Sequence, residues 1–549
     1  MDTIAFIVLL LALVVLSSIV VRSLAPALPL PIVQIALGAV AARLTSYQVS
    51  LEPGVFFLLF LAPLLFLDGW RIPREGLFRD KGTILSLSFG LVLLTVIGAG
   101  LFIHWMIPAF TLPAAFALAS ILSPTDTIAV SSLAERVPLP RRLMVILEGE
   151  SLLNDASGLV CFRFAVAAAL TGQFAAWRAV GTFAWLAVGG LLAGVATCLV
   201  TNVAKDWVTR RFGEEVGAQI LVSLIIPFAA YLLADAVGAS GILAAVAAGI
   251  IMGMEERAGR ASAITRIRRS AVWDAAQFAG NGVIFVLLGH QLPGILSRAG
   301  AAIEQTGEHN KLWLMIYVLA ICVVLSVIRA AWAWVTLGVR SMLGEHLAGA
   351  ARAGRARLVA ITAFAGARGA VTLAAAMAIP LTVHDGVAWP ARDLAILIAA
   401  GVIVVSLVAA PVGLVAATWP LRLAGNNLHQ EERDIRSLSA RAALDAIEQA
   451  LREPAARGLN ADIYAQAAAR VSADYRQRIA AGSSNIAEHP SARPSSEIED
   501  RLRLMALDAE RKEMYGAART GHQSQELIRD LVYEIDLQES QLLARRRTT

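Results

Sequence analysis

Two short acidic stretches sit inside sequence that otherwise reads as lipid-spanning helix, and they constrain the chain more than any other feature. One is Ser123-Pro124-Thr125-Asp126-Thr127; the other runs Glu148-Gly149-Glu150-Ser151-Leu152-Leu153-Asn154-Asp155-Ala156-Ser157-Gly158. An ionised side chain at bilayer depth costs at least about 2.5 kcal/mol even on the mildest insertion scales. Asp126, Glu150 and Asp155 therefore need partners, water or a task. The surroundings leave no soluble alternative: 57% of the 549 residues are hydrophobic, 16% are charged and the mean hydropathy is +0.65. Such a chain is a polytopic membrane protein. Its net charge of +5 does not mark a nucleic-acid binder, because the arginines fall between apolar segments, at the membrane surface.

The apolar segments predict about thirteen spans, each near the ~20 residues that cross the hydrocarbon. They run over 3–24, 30–44, 54–68, 82–106, 113–133, 141–170, 177–203, 218–236, 239–254, 272–292, 312–339, 358–380 and 394–417. The stretch 3–21 is too long and evenly apolar for a cleaved signal and reads as the first span. Loops carrying Arg71, Arg74, Arg79 and Lys81, or Arg136, Arg141 and Arg142, share one side with those carrying Lys205, Arg210 and Arg211. The loops with Arg257, Arg260, Arg266, Arg268 and Arg269, and with Arg340, Arg352, Arg355 and Arg357, fall there too. The positive-inside rule then places the N-terminus outside and the C-terminal tail in the cytoplasm.

After Pro420 the composition turns to Ala, Arg, Glu, Asp and Gln, which divides the chain into a membrane domain, 1–420, and a helical tail, 421–549. Apolar residues at helical spacing predict soluble amphipathic helices over 435–451, 502–514 and 527–543, with a linker over 480–496. The tail reads as a solvated helical appendage or a regulatory, dimer-stabilising one. Cys161, Cys198 and Cys322 lie in apolar segments without metal-ligand spacing, so neither disulfides nor zinc are expected.

Within the second acidic stretch, Glu150 and Asn154, and Ser151 and Asp155, are i,i+4 pairs, which places four oxygen-bearing side chains on one broad helix face. Hard oxygen ligands suit an alkali cation. Pro124 removes a backbone donor and disfavours helix before it, opening the span around Thr125 and Asp126. A second break is expected at Gly366-Ala367-Arg368-Gly369-Ala370, in a span running the opposite way. Broken helices mark the binding sites of secondary transporters and accompany inverted repeats. Arg368 keeps its proton and needs an anion; Glu150 is the chosen partner, with Asp126 or cytoplasmic water as rivals. Arg163 either lines the core, snorkels or pairs structurally. Asp274, Gln277 and Asn281 follow helical spacing, and Asn281 could bond a neighbouring helix. The small-residue run 239–249 reads as close helix packing. His104 belongs near the outer end of a span and is not taken as a pH sensor.

Thr125-Asp126 in a broken helix, Glu150-Ser151-Leu152-Leu153-Asn154-Asp155 in the next span, Asn281-Gly282-Val283-Ile284-Phe285 with Gly289, and Arg368-Gly369 together resemble the monovalent cation/proton antiporters. The nearest branch looks like the electroneutral NhaP-type bacterial sodium/proton antiporters, related to the animal sodium/proton exchangers, and the likeness covers roughly the first 420 residues. It implies an all-α membrane fold with inverted repeats and two broken crossing helices, and a homodimer embedded in lipid. It also implies Asp155 as the ion- and proton-carrying carboxylate, with Ser151, Thr125 and Asp126 lining the alkali cation site. Glu150 and Arg368 match a structural ion pair, with Pro124, Gly366 and Gly369 at the breaks. Asn154 stands where the electrogenic branch has a second aspartate, which implies one-for-one exchange. Asp68 resembles an acidic position near the cytoplasmic funnel, although Trp70 and Arg71 beside it also suit a surface residue. Where many relatives have Pro after the first motif's Asp, this chain has Thr127, so the break rests on Pro124.

The mechanism expected is competition: proton and cation exclude each other at one carboxylate, and one repeat bundle moves against the rest only when the site is filled. The transported ions are Na+, with K+ or Li+ as alternatives, and H+, and no resident cofactor is expected. An enzyme is disfavoured because no His-Glu-x-x-His, Walker-type loop or paired Cys is present. A cation channel gated by the tail is the rival class, since acidic residues also line pores.

Overall fold

The computed structural model of the chain describes residues 2–23, 28–45, 53–72, 79–126, 141–171, 176–257, 262–297, 312–342, 354–382, 389–418, 427–452, 461–481, 497–519 and 525–548. All regular structure among them is helical. In chain order the helices are α1 Asp2–Ser23, α2 Leu30–Leu44, α3 53–71, α4 Lys81–Met106, α5 Leu112–Leu122, α6 Arg141–Thr171, α7 Ala176–Phe212, α8 Val216–Ala236 and α9 Gly241–Arg257. Then come α10 Ala263–Ser297, α11 Leu312–Met342, the half-helices α12 Arg355–Phe364 and α13 Ala370–Met377, and α14 Arg392–Thr418. The rest are α15 Asn427–Arg452, α16 Ala461–Ala481, α17 Glu497–Arg519 and α18 Gln525–Thr548.

Each of the expected spans contains helix, and among the described residues nine helices are long and apolar enough to cross a membrane. The chain is a polytopic all-α membrane protein. The expected fifth span is interrupted where Pro124 predicts: α5 stops at Leu122 and Ser123–Asp126 is not helical, while 127–140, with Thr127, lie outside the described residues. The helices α7 and α10 outrun their apolar stretches, because their polar ends, such as Arg210 and Arg211, continue the helix where water can receive the charges.

Contacts divide the chain into two compact units. The first comprises Met1–Met254 and Trp273–Arg422; the second comprises Glu255–Val272 and Leu423–Thr549. The core of the first unit is a continuous cluster that includes Leu118, Leu122, Leu152, Val246, Ile321 and Ile398. Large side chains such as Leu93, Val200, Ile225 and Val323 point outward instead. That outward apolar surface is stable in lipid and not in water. The small-residue run packs as expected: a Cβ on Gly249 would fall 2.0 Å from the Phe66 carbonyl oxygen, so α9 lies directly on α3. Two spans contain wide π-turns, Phe57–Leu61 in α3 and Ser86–Leu91 in α4. Backbone groups in the second are satisfied from outside the helix: Ser157 Oγ donates to Ser88 O at 2.5 Å and Trp332 Nε1 donates to Ser86 O at 3.1 Å.

The second unit has its own apolar cores, one around Ala443, Ile447, Val471 and Leu502 and another around Ile435, Leu507, Ile528 and Ile535. Helix α16 is absent from the sequence-based expectation. Its buried side is mostly Ala467 and Ala468, with Val471 and Tyr475, and alanine carries little periodic signal. Residues 482–496, most of the expected linker, lie outside the described residues. The first turns of α10, within the segment Glu255–Val272, belong to this unit through charge. Arg266 donates to both carboxylate oxygens of Asp536, at 2.7 Å from Nε, and Arg511 Nε lies 3.1 Å from the same carboxylate. All three are buried.

Removing one partner of a buried pair leaves an uncompensated charge, at ~3–5 kcal/mol. Asp536→Ala therefore strands Arg266 beside Arg511, and the second unit should become cleavable by protease at markedly lower temperature; an unchanged cleavage profile would show that the pair contributes nothing. A second expectation concerns Glu510, buried on α17, whose carboxyl burial pushes above its ordinary 4.5 despite the Tyr475 hydroxyl and the Arg478 and Arg436 guanidiniums, which lower it. The folded state then holds the proton more tightly than the unfolded one. This contribution to stability is full below the ordinary value and is lost as pH climbs through the folded one. Glu510→Gln cannot ionise, so relative to wild type α16 and α17 should gain protection from hydrogen exchange as pH rises from about 5 to about 8.

Candidate cation and proton site

The two interrupted spans meet. The Asp126 backbone N–H donates to Ala367 O at 2.7 Å, and Arg368 Nε donates to Leu122 O at 3.2 Å. Between α12 and α13 the residues Ala365–Gly369 are not helical, and the freed Arg368 N–H is taken by Ser406 Oγ of α14 at 2.9 Å. Each break thus supplies partners for the other, as non-helical backbone at membrane depth requires. The expected break residues Pro124, Gly366 and Gly369 all lie in these non-helical turns. Gly369 is there for close approach: a Cβ on it would fall 1.7 Å from Asp126 Oδ2. The Asp126 carboxylate therefore sits at the N-terminus of α13, where the helix dipole favours an anion.

The run in α6 addresses three neighbours. Ser151 Oγ donates to Thr125 O at 2.6 Å, and Asn154 Nδ2 donates to Thr125 Oγ1 at 2.8 Å, so two of the expected cation ligands hold the broken segment in place. Asn154 Oδ1 is buried with no partner among the described residues. Asp155, the next residue, is 6% exposed and makes no hydrogen bond or ion pair among the described residues. Its neighbours are other acids: Asp155, Asp126 and Asp68 lie within electrostatic range of one another, each pair repelling. Among the described residues no three of His, Cys, Asp or Glu converge as a metal-ligand set, so the carboxylates are a field rather than a cage.

Glu150 pairs elsewhere than expected. Its carboxylate accepts both terminal nitrogens of Arg329 on α11, one at 2.9 Å, while Arg329 Nε donates to Thr362 O at 2.7 Å. Arg368 has no carboxylate in ion-pair range among the described residues; it donates to the Leu122 and Gly366 carbonyls. The Glu150–Arg368 pair is thus replaced by Glu150–Arg329, because the break at 366–369 offers Arg368 unsatisfied carbonyls at short range. Arg329 was missed although its signal was present: an ionisable residue in the middle of an apolar span demands a partner. Arg163, further along α6, lines a cavity of about 400 Å³ with Phe57, Leu159, Phe162, Tyr231 and Ser240. Asp274 and Gln277 of α10 bind Arg71, and Asn281 makes no side-chain hydrogen bond among the described residues.

With Glu150 and Arg329 only 1% and 3% exposed, Arg329→Ala leaves a carboxylate buried without its cation. The expected loss is ~3–5 kcal/mol, seen as a lower unfolding temperature and yield in detergent. Adding Glu150→Gln should offset much of the Arg329→Ala loss and none of the loss from Arg368→Ala, which strands only carbonyls; the opposite pattern would restore the original pairing.

Residues 7–419 match the family described as sodium/hydrogen exchanger, transmembrane. The chain is 36% identical over 546 residues to the uncharacterized Na(+)/H(+) exchanger YjcE of Escherichia coli (strain K12), covering 98% of each. It is 40% identical over 423 residues to the sodium, potassium, lithium and rubidium/H(+) antiporter of Bacillus subtilis (strain 168), covering 75% of this chain and 61% of that one. Among solved structures it resembles the sodium proton antiporter MjNhaP1 from Methanocaldococcus jannaschii, with TM-score 0.54 and 17% identity over 78% of this chain and 100% of that one. At that identity the likeness shows the fold.

Proposed function

The chain belongs to the sodium/hydrogen exchanger family and is a membrane cation/proton antiporter, and on that premise we propose that Asp155 carries either one alkali cation or one proton across the bilayer. The observation that carries this reading is the isolation of Asp155: buried, unbonded among the described residues, and facing the charges of Asp126 and Asp68. Two states relieve that repulsion, a bound proton or a bound cation, and each excludes the other because both need the same carboxylate. Exchange follows when one bundle moves only with the site filled. The family transports rather than transforms its substrates, so no chemical step is assigned.

Sodium is the principal cation in this reading, with potassium and lithium accepted. Ser151 and Asn154 bond the Thr125 segment, which leaves Asp155, the Asp126 carboxylate and water as the main oxygen ligands, a set with little power to select by size. The Bacillus subtilis relative, named for sodium, potassium, lithium and rubidium, supports the same breadth. The absence of a second aspartate at Asn154 supports electroneutral one-for-one exchange. The inner membrane of a bacterium, an outside N-terminus, a cytoplasmic tail and a lipid-embedded homodimer complete the proposal.

In proteoliposomes of the full chain, a sodium pulse should move protons in wild type and not in Asp155→Asn. Lowering pH should raise the half-saturating sodium concentration while leaving the maximal rate unchanged when sodium saturates. Clamping the membrane potential should leave the exchange rate unaltered; a potential-driven current without proton movement would make the protein a channel.

A further inference from the structure

Helix α3 carries Asp68 and Arg71 one turn apart, a spacing at which opposite charges on a helix ordinarily meet. Here they do not. The Asp68 carboxylate makes no hydrogen bond or ion pair among the described residues, and the residue is exposed. Arg71 is turned instead toward α10, where it donates to Gln277 Oε1 at 2.7 Å and pairs with Asp274 Oδ1. Asp274 and Gln277 are themselves i,i+3 on α10, so they present a two-point fork to one guanidinium. Arg71 still lies within electrostatic range of Asp68.

We propose that Asp274 and Gln277 are positioning residues for cation uptake, holding Arg71 away from Asp68 so that Asp68 offers an unneutralised carboxylate to alkali cations on their way to Asp155. The inference rests on the reading of Asp68 and Asp155 as points on one cation path. The chemistry requires such a device. A helix that places a guanidinium one turn beyond an attracting carboxylate cancels that attraction unless the guanidinium has a better partner. An approaching alkali cation would then meet a closed ion pair, which must open before the carboxylate can contribute. Asp274 supplies the compensating charge and Gln277 the direction, and Asp68 keeps its field. The sequence pattern agrees, because Asp274 and Gln277 are polar residues on a helix otherwise long and apolar enough to span.

The test measures the half-saturating sodium concentration and the maximal rate of sodium-driven proton movement in proteoliposomes of the full chain. The variants are Asp274→Asn, Asp274→Glu, Gln277→Ala, Arg71→Gln, the double variant Asp274→Asn/Arg71→Gln, and Asp68→Asn. Freed from Asp274, Arg71 swings to Asp68, so Asp274→Asn should raise half-saturation roughly three- to ten-fold at an unchanged maximal rate. Gln277→Ala should shift it in the same direction by less, and Asp274→Glu should stay near wild type. The double variant should return to within about two-fold of Arg71→Gln alone, because the cation that would occupy Asp68 is gone. A purely structural role predicts otherwise: a fall in maximal rate, or the same rise whether or not Arg71 is present, and either result overturns the proposal. Half-saturation unchanged in both Asp274→Asn and Gln277→Ala overturns it as well. Asp68→Asn separates the two readings: unchanged half-saturation in that variant alone removes Asp68 from the path, whereas a rise there with no response at Asp274 overturns only the positioning role.

Discussion

The hydrogen bond from the Asp126 backbone to Ala367 O, at 2.7 Å, is the contact on which the rest of the membrane unit depends. A bilayer supplies no water to satisfy an opened helix, so one broken span alone would leave several backbone groups bare, each costing a few kcal/mol or more. Two breaks placed against each other solve the problem mutually. Carbonyls freed near 366 and at 122 receive the Arg368 guanidinium, and the N–H freed at 126 reaches Ala367. Arg368 is thus a backbone satisfier rather than half of an ion pair.

With the crossing fixed, the charges sort themselves by whether they have a permanent partner. Glu150 and Arg329 neutralise each other and tie α6 to α11 by two parallel hydrogen bonds. Asp126 rests at the N-terminus of α13. Asp155 has neither arrangement among the described residues, and Arg71, one turn beyond Asp68, is bound by Asp274 and Gln277 of α10. A membrane protein that leaves one buried carboxylate without a fixed partner retains it against a cost. The proposed use as a carrier of exchangeable positive charge would account for that cost; a purely architectural carboxylate would have been given an arginine, as Glu150 was.

Much of this was legible in the sequence because it follows from simple exclusions. Apolar length, arginine placement and the cost of a carboxylate in lipid identified the membrane fold and singled out Asp126, Glu150 and Asp155. Pro124 and the Gly366–Gly369 turn located both breaks. The pairing of Glu150 was not legible, since helix spacing gives no information about which of two buried arginines, Arg329 or Arg368, lies across a gap between spans far apart in sequence. Helix α16 hid behind alanine, whose burial leaves almost no periodic trace. The assignment of Glu255–Val272 to the second unit was hidden for the same reason as the Arg329 pair: it depends on Arg266 meeting Asp536, a contact far from local in sequence. Local chemistry announces that a charge needs a partner; only the fold names which one.

The run Glu150-Ser151-Leu152-Leu153-Asn154-Asp155 shows why adjacency in sequence misleads about shared function. Successive residues on a helix are rotated by about 100°, so neighbours in the run face different elements. Glu150 faces α11 and locks it, Ser151 and Asn154 face the opened chain at Thr125 and pin it, and Asp155 is bound to neither. Treating all four polar side chains as one ligand cluster, as i,i+4 spacing invites, merges two tasks that the structure separates. The bonds of Ser151 and Asn154 pin the Thr125 segment, while Asp155, one residue on, keeps the unbonded carboxylate on which the proposed exchange rests. A more even sharing of ligands would grip the cation harder and also tie the cation to the contacts that hold the break open, so that each release would loosen the crossing itself. If the exchange is confined to one carboxylate beside a rigid break, as we propose for Asp155, the ion leaves without disturbing what holds the site together.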